Sequence, residues 1–143
     1  MLSDEDLFLF SYGPEQATEH ERGVIEHRGL KRIPVGEVAA DPEGAAARAL
    51  AETEPRYDHL LVHFDVDSVD FTDLPLSENT GRNEGLPFDV AMRALGALLG
   101  SGKLVSVTVT EFNPDHGEED GSTAGTLAQG LADVLSGSSV LGR

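Results

Sequence analysis

An apolar run at residues 60–64 (LLVHF), ending directly in two acids, Asp65 and Asp67, limits the folds open to this chain more than any other feature. A near-continuous apolar run of this length is typical of a strand covered on both faces, as in a parallel sheet. A second apolar run, at residues 104–109, ends next to Glu111. Parallel strands are joined by crossover connections, usually helices. The sequence therefore predicts an α/β fold, with a parallel sheet and flanking helices.

Strands and helices alternate along the rest of the sequence. A shorter apolar run at residues 7–10 predicts a further strand, and residues 32–35 are expected to form another short one. Caps, helical spacing of apolar residues and terminating glycines predict helices over residues 15–28, 42–53, 88–99 and 123–135. This alternation is typical of βαβ units, so we expect one domain over residues 1–135. The Gly/Ser-rich end, residues 136–143, is expected to be a flexible tail.

Composition excludes several classes of protein. The chain has a net charge of −16, which disfavours nucleic-acid binding because that affinity depends on Lys and Arg contacts with phosphates. No apolar run reaches the roughly 18 residues of a membrane span, and the acidic start lacks the basic region of a secretory signal. We therefore expect a cytoplasmic protein without nucleic-acid or membrane partners. The chain has no cysteine, so any metal site must use oxygen or imidazole ligands.

The acids after the first long strand are candidate metal ligands. Open parallel sheets bind ligands outside the carboxyl ends of their strands, where Asp65 and Asp67 are expected to lie. If the strand continues through both, their side chains share one face, with His63 behind them. Two close carboxylates repel unless a cation lies between them, and oxygen ligands suit Mg²⁺, Ca²⁺ or Mn²⁺. The alternative is a solvated loop in an acidic protein.

The second long strand delivers Glu111 to the same edge, and Asn113-Pro114 turns the chain immediately afterwards. A carboxylate in that position could hold a guanidinium group through two parallel hydrogen bonds. The alternative for Glu111 is an ordinary surface glutamate.

Two other site types begin with a similar pattern. An EF-hand loop starting at Asp65 requires glycine at its sixth position and glutamate at its twelfth, where the chain has Asp70 and Leu76, so that type is excluded. An apolar strand followed by Asp-x-Asp also resembles the first motif of haloacid-dehalogenase-like phosphatases, whose first aspartate is a nucleophile. That family's pattern places a lysine later at the active edge, whereas Lys103 precedes its strand. The phosphatase remains an alternative.

Three segments together resemble a more specific family. Residues 63–70 (HFDVDSVD) are similar to the ureohydrolase signature S-F-D-[VI]-D-x-x-D-P, and residues 111–114 (EFNP) are similar to that family's later E-x-N-P. Between them, Thr80-Gly81 and Gly85-Leu86 resemble the T-P-x-x-G-G-L stretch that leads into a helix. The motifs occur in the family's order, and the similarity runs along nearly the whole chain. The sequence thus resembles the C-terminal portion of an arginase or agmatinase.

The resemblance implies a partial three-layer α/β/α arginase-like fold, with residues 1–135 forming the C-terminal part of the domain. It also implies a hydrolase that uses two Mn²⁺ ions to cleave a guanidino or formimino C–N bond, for example in arginine or agmatine. Asp65 and Asp67 match metal ligands of the signature and would be the catalytic acids. Glu111 matches the carboxylate that orients the guanidinium. Asp70 and His63 are expected to be supporting residues.

The sequence also departs from the family pattern. Phe71 replaces a usual proline, Glu84 a second glycine, and His63 a serine or threonine. Because the loop between the two motifs helps to shape the substrate pocket, these departures bear on the substrate more than on the family.

Two upstream family motifs, G-G-D-H and D-A-H-x-D, do not occur in the chain. The resemblance implies that they supply the histidine ligands and the remaining aspartates of the metal site. We therefore expect little or no activity from this chain alone, and a homo-oligomer or a missing N-terminal half as the source of those ligands. A non-catalytic remnant or interaction module of the same fold is the alternative.

Overall fold

The structure, a computed structural model, describes residues 3–81 and 84–137. The strands are β1 Phe8–Tyr12, β2 Lys31–Pro34, β3 Leu60–Asp65 and β4 Leu104–Thr110. The helices are α1 Glu19–Arg28, α2 Val35–Ala40, α3 Pro42–Thr53, α4 Phe88–Leu99 and α5 Ser122–Ser136. Ser136, assigned to the tail from the sequence, is the last residue of α5, and residues 138–143 lie outside the described part of the chain.

The described strands form two separate two-stranded sheets. β1 pairs with β2 and β3 pairs with β4, both in parallel orientation. The predicted parallel pairing and the α/β class are confirmed, but the single sheet expected from the sequence is divided into two pairs. In the second pair Asp65 lies opposite Thr110, so the strands that carry the candidate acids end together.

Capping residues determine where α1 and α3 begin. The Asp41 side chain accepts a hydrogen bond from Gly44 N at 3.0 Å, and Pro42 occupies the first helical position, as predicted for α3. α1 begins at Glu19, later than the predicted residue 15, because Thr18 caps it. β2 ends at Pro34, and α2 starts directly after it. The prediction that this strand extends to residue 35 is therefore wrong. A short apolar segment does not distinguish a strand from a helical turn.

The core lies where α3 and α4 pack together, with α2 and α5 against them. Its fully buried side chains include Val38, Ala45, Ala46, Val66, Leu86 and Leu99. The alanines of α3 allow its backbone to approach α4 closely. None of the described helices has the length and apolar character needed to cross a membrane.

Lys103 links the start of β4 to the backbone that follows α3 through two hydrogen bonds. Its Nζ donates to the backbone oxygens of Glu54, at 2.5 Å, and Tyr57, at 2.7 Å. The neighbouring Ser101 hydroxyl donates to Glu54 Oε1 at 2.7 Å. A cation is favourable beside the carbonyls at a helix C-terminus. Lys103 thus lies at the opposite end of the strand from Thr110 and is engaged in structure there.

We expect Lys103→Met to lower the free energy of unfolding by about 1.5–3 kcal/mol, because it leaves partly buried carbonyls without their charged donor. The matched change Lys31→Met removes an exposed ion pair with Glu52 and should cost at most about 1 kcal/mol. Urea denaturation followed by circular dichroism measures both. Equal losses would contradict an anchoring role for Lys103.

Candidate metal site at the carboxyl edge of β3 and β4

A tight turn, and not a shared strand face, relates Asp65 to Asp67. β3 ends at Asp65, and residues Val66–Ser68 form a 3₁₀ turn. Asp65 Oδ1 accepts a hydrogen bond from Asp67 N at 2.8 Å, which caps that turn. The prediction that Asp65 and Asp67 share one face of a strand is therefore wrong. Both acids nevertheless lie at the carboxyl end of β3, as predicted.

Asp67 is a buried carboxylate, with only 9% of the residue exposed. Its Oδ1 accepts a hydrogen bond from Asn79 N at 3.3 Å, so the loop after the 3₁₀ turn folds back over it. Burying a carboxylate is costly unless hydrogen bonds or a cation compensate for the lost water. The Asp67 carboxylate is thus enclosed by the protein, unlike the carboxylate of an ordinary surface aspartate.

Asp70 organises the loop that follows. Its Oδ1 accepts hydrogen bonds from Thr72 N at 2.8 Å and Thr72 Oγ1 at 2.6 Å. Its backbone N donates to Leu86 O at 2.9 Å, and Leu86 N donates to Ser68 O at 2.8 Å. These bonds hold the two ends of the loop together beside the acids. The Asp70 carboxylate therefore stabilises the loop to which it belongs.

Gly85 is required for this closure. A Cβ at Gly85 would lie 2.5 Å from both Asp70 N and the carbonyl carbon of Val69, closer than real Cβ contacts. A side chain there would push the loop ends apart. The glycine of the Gly85-Leu86 motif thus has a packing role beside the site.

Glu111 leaves β4 in an unusual backbone conformation, with φ of 55°. Residues other than glycine rarely adopt this region, and such strain costs about 1–3 kcal/mol. Backbone bonds on both sides hold the segment: Glu78 N donates to Glu111 O at 2.9 Å, and Asn113 N donates to Leu76 O at 2.7 Å. The Glu111 residue is exposed at the same edge as Asp65.

A hydrogen-bond network that the sequence did not reveal joins the Glu111 segment to the loop. Asn113 Nδ2 donates to Glu78 Oε2 at 2.8 Å, and His116 Nδ1 lies 2.8 Å from Ser77 O. Because a carbonyl oxygen only accepts, the His116 proton is on Nδ1. The Phe71 ring meets the His116 ring edge-on, with centroids 6.1 Å apart. The Asn-Pro turn was the one sequence signal that could have pointed to this network.

His63 lies on the face of β3 that also carries Leu61, and it faces β4. Its Nδ1 is 3.0 Å from Thr108 Oγ1, and its Nε2 is 2.9 Å from Thr110 Oγ1. Both ring nitrogens are therefore engaged by hydroxyls of the neighbouring strand. This arrangement fixes His63 across the strand pair and leaves neither nitrogen available to a metal while these bonds persist.

The described residues do not form a complete metal site. Among residues 3–81 and 84–137, no three His, Asp or Glu side chains are close enough together to hold an ion. The carboxylates of Asp65 and Asp67 are suitable oxygen donors, but a divalent cation in a protein normally takes more ligands than two side chains provide. The donor set of this chain is therefore partial.

These features define an α/β protein with parallel strands and an acidic carboxyl edge, and solved structures show that its fold is that of the arginases. The arginase of Helicobacter pylori superposes with a TM-score of 0.79 at 23% identity, over 92% of this chain and 43% of that one. The sequence matches the arginase family over residues 4–136, so the chain belongs to that family. No sequence among the curated proteins matches it.

Two further structures show the range of the similarity. The Entamoeba histolytica arginase in complex with L-ornithine has a TM-score of 0.78 at 19% identity, over 94% of this chain and 44% of that one. The Trypanosoma cruzi formiminoglutamase with Mn²⁺ has a TM-score of 0.75 at 18% identity, over 94% and 45%. The chain thus spans less than half the length of these proteins, as expected for a portion of the fold. Family membership removes the phosphatase alternative.

We expect Gly85→Ala to lower the free energy of unfolding by about 1–3 kcal/mol, because the added methyl group meets backbone atoms. Gly81→Ala, in the same loop, adds a methyl group whose nearest neighbour among the described residues is the Asn79 side-chain oxygen at 3.4 Å, an ordinary contact. It should therefore change stability by less than about 0.5 kcal/mol. Chemical denaturation of both variants checks this, and equal effects would contradict the packing role of Gly85.

Proposed function

We propose that this chain supplies one part of the two-metal site of a manganese-dependent ureohydrolase. One observation carries the proposal: in a chain of the arginase family, a buried aspartate, Asp67, lies one tight turn after Asp65 at the carboxyl end of a parallel strand. Parallel sheets bind their ligands at this edge. The signature residues and the position of the acids support the same site.

In this proposal Asp65 and Asp67 bind Mn²⁺. A bound pair of Mn²⁺ ions supplies Lewis-acid chemistry and an activated water for hydrolysis of a C–N bond. Glu111 would bind the guanidinium or formimino group through charge-assisted hydrogen bonds, and its constrained backbone would fix the point at the edge from which the side chain extends. Asp70 would support the site through the loop, and His63 through the pairing of β3 with β4.

The remaining ligands must come from outside the described residues. Ligand number and geometry set metal affinity, so two carboxylates without further donors bind Mn²⁺ weakly. Another segment of a longer protein, a separate polypeptide carrying the N-terminal half or another copy of this chain would complete the site. By itself the chain would then have little or no hydrolase activity. The cytoplasmic location is a further prediction from the sequence.

The substrate class in this proposal is a small molecule with a guanidino or formimino group. Its support is that arginases and formiminoglutamases resemble this chain about equally, with TM-scores of 0.78 for both the Entamoeba histolytica arginase and the Bacillus subtilis formimidoylglutamase. Both substrate types contain a planar nitrogen-bearing group, which a carboxylate such as that of Glu111 can bind through hydrogen bonds. They differ in the tail beyond it.

Weak Mn²⁺ binding can be located by its paramagnetic broadening of nuclear magnetic resonance signals. Titration of the full chain should broaden the backbone amides of residues 65–70 and Asn79 first, because these surround the two carboxylates. Asp65→Asn combined with Asp67→Asn should abolish this selective broadening. Glu111→Gln should leave it intact, since Glu111 is proposed to bind substrate and not metal.

A matched control is the pair Asp58→Asn and Asp133→Asn, which removes the same charge from two exposed aspartates. Broadening spread evenly over the acidic surface, or unchanged in the Asp65 and Asp67 variant, would rule out the proposed ligands. Calorimetric detection of two tightly bound ions in the chain alone would instead show a complete site and contradict its partial character.

A non-catalytic interaction module is the second candidate. It is favoured by the lack of a third metal donor among residues 3–81 and 84–137. The two candidates differ after the complementary portion of an arginase fold is added. The ureohydrolase proposal expects hydrolysis of a guanidino or formimino substrate that is lost in Asp67→Asn, whereas the interaction module expects none.

A further inference from the structure

His116 holds the Asn-Pro turn after Glu111 against the loop that carries Ser77 and Glu78. The imidazole is partly buried, its Nδ1 donates to Ser77 O at 2.8 Å, and its Nε2 is 3.4 Å from Asn113 Nδ2. With the proton on Nδ1, Nε2 carries a lone pair and can only accept a hydrogen bond. The neutral ring therefore presents an acceptor to the donor group of the Asn113 amide.

The Asn113 side chain has one favourable orientation in this arrangement. Its Oδ1 accepts a hydrogen bond from Asp115 N at 3.0 Å, and its Nδ2 donates to Glu78 Oε2 at 2.8 Å. Turning the amide over would place Nδ2 against the Asp115 N–H and Oδ1 against the Glu78 carboxylate, so both bonds would be lost. Asn113 thus forms a bridge between His116 and Glu78 in this orientation.

Protonation of His116 would change the ring atom that Asn113 meets. Histidine is the side chain whose charge ordinarily changes between pH 5 and 8. In the protonated ring both nitrogens are donors, so an Nε2–H would point towards the amide hydrogens of Asn113. Two facing donors leave a partly buried N–H without an acceptor, which is unfavourable. The bridge through Asn113 is therefore compatible only with the neutral ring.

The charges around the ring act in the same direction. Glu78 faces it from the loop, through Asn113, and Asp115 and Glu118 are the nearby acids of its own segment. A carboxylate favours the protonated ring, so Glu78 would turn from the Asn113 amide towards the new Nε2–H. The loop and α5 also place uncharged groups against residues 116 and 117, namely Phe71, Leu76, Ser77 and Thr123.

The backbone of Glu111 depends on this bridge. Its φ of 55° is a strained conformation, which persists only where surrounding contacts hold it. Glu78 N donates to Glu111 O at 2.9 Å, and Asn113 N donates to Leu76 O at 2.7 Å. The side-chain bond between Asn113 and Glu78 ties together the two segments that make these backbone bonds. Breaking it would loosen both bonds and the point from which the Glu111 side chain extends.

We propose that His116 is a positioning residue for Glu111, and that its protonation releases the Glu111 segment. The neutral ring holds Asn113 against Glu78, and the protonated ring opens this bridge. The release itself is a property of the described chain and requires neither metal nor substrate. Its consequence for a guanidino or formimino substrate rests on the proposed function: Glu111 would hold the substrate firmly near neutral pH and less firmly in acid.

Hydrogen–deuterium exchange of the full chain, followed by nuclear magnetic resonance at about pH 8 and about pH 5.5, tests the proposal. The amides of Glu78 and Asn113 report the two backbone bonds, and the Leu60 amide, bonded to Lys103 O at the other end of β3, is the reference. After correction for the intrinsic pH dependence of exchange, protection of Glu78 and Asn113 should fall about tenfold in acid, as expected for the loss of one charge-assisted hydrogen bond. The change should follow the titration of the His116 ring in the same samples, and protection of Leu60 should stay constant.

Two variants identify the proton that is responsible. His116→Gln offers an N–H to Ser77 O but cannot gain a charge, so protection should be the same at both pH values. Asn113→Asp replaces the amide donor by a carboxylate that a protonated ring would bind, so protection should rise in acid and the sign of the effect should reverse. His59→Gln is the matched control, because it removes an exposed imidazole that takes no part in the bridge, and it should behave as the parent chain.

A loss of protection in acid that disappears in His116→Gln and reverses in Asn113→Asp would support the proposal. Protection that does not change with pH in the parent chain would overturn it, and so would an equal loss in His116→Gln, since acids such as Glu78 would then be responsible. If His116→Gln lowers protection at both pH values, an unreversed response in Asn113→Asp would show that His116 is merely structural and would overturn the proposal as well. None of these results depends on Mn²⁺ or substrate, so a failure of the metal-site proposal leaves this test intact.

Discussion

The parallel pairing of β3 with β4 is the constraint on which the site depends. Its register sets Asp65 opposite Thr110, so the segments that carry Asp67 and Glu111 leave the pair at one edge. A slip of one residue would move every side chain to the other face of the pair. Lys103 fixes one end of this register, and the His63 ring, held by two threonine hydroxyls, fixes the other.

The loop between the two strands is a rigid part of the edge. Val69 and Leu86 form a bridge at its base, and Ser77 and Phe112 form another at the side of β4. These bridges bury Asp67 beneath the loop and sustain the strained backbone of Glu111. The same connections explain why Gly85 has no room for a side chain. Positioning of the acids is thus a collective property of the loop and both strands.

The partial donor set lies next to an unpaired strand edge. Among the described strands, β3 pairs only with β4, so its other edge has no neighbouring strand there. Asp65 ends this strand, and within residues 3–81 and 84–137 no third His, Asp or Glu side chain lies close enough to complete an ion site. The unpaired edge of β3 and the shortage of ligands therefore occur at one place in the fold.

The sequence by itself determined the α/β class, the long strands, the start of α3 and the position of Asp65 and Glu111 at strand ends. Those features follow from local signals: apolar runs, a capping aspartate and proline, and acids that cannot continue a buried strand. The family signature in residues 63–70 and 111–114 likewise depends on sequence alone.

Only the tertiary structure decided that Asp67 lies on a 3₁₀ turn, that β1 and β3 do not pair, and that His116 and Glu78 brace the Glu111 segment. Each of these depends on contacts between residues distant along the chain. The period of apolar residues shows which faces are buried but does not show which strand edges meet, because backbone groups pair in the same way whatever side chains they carry.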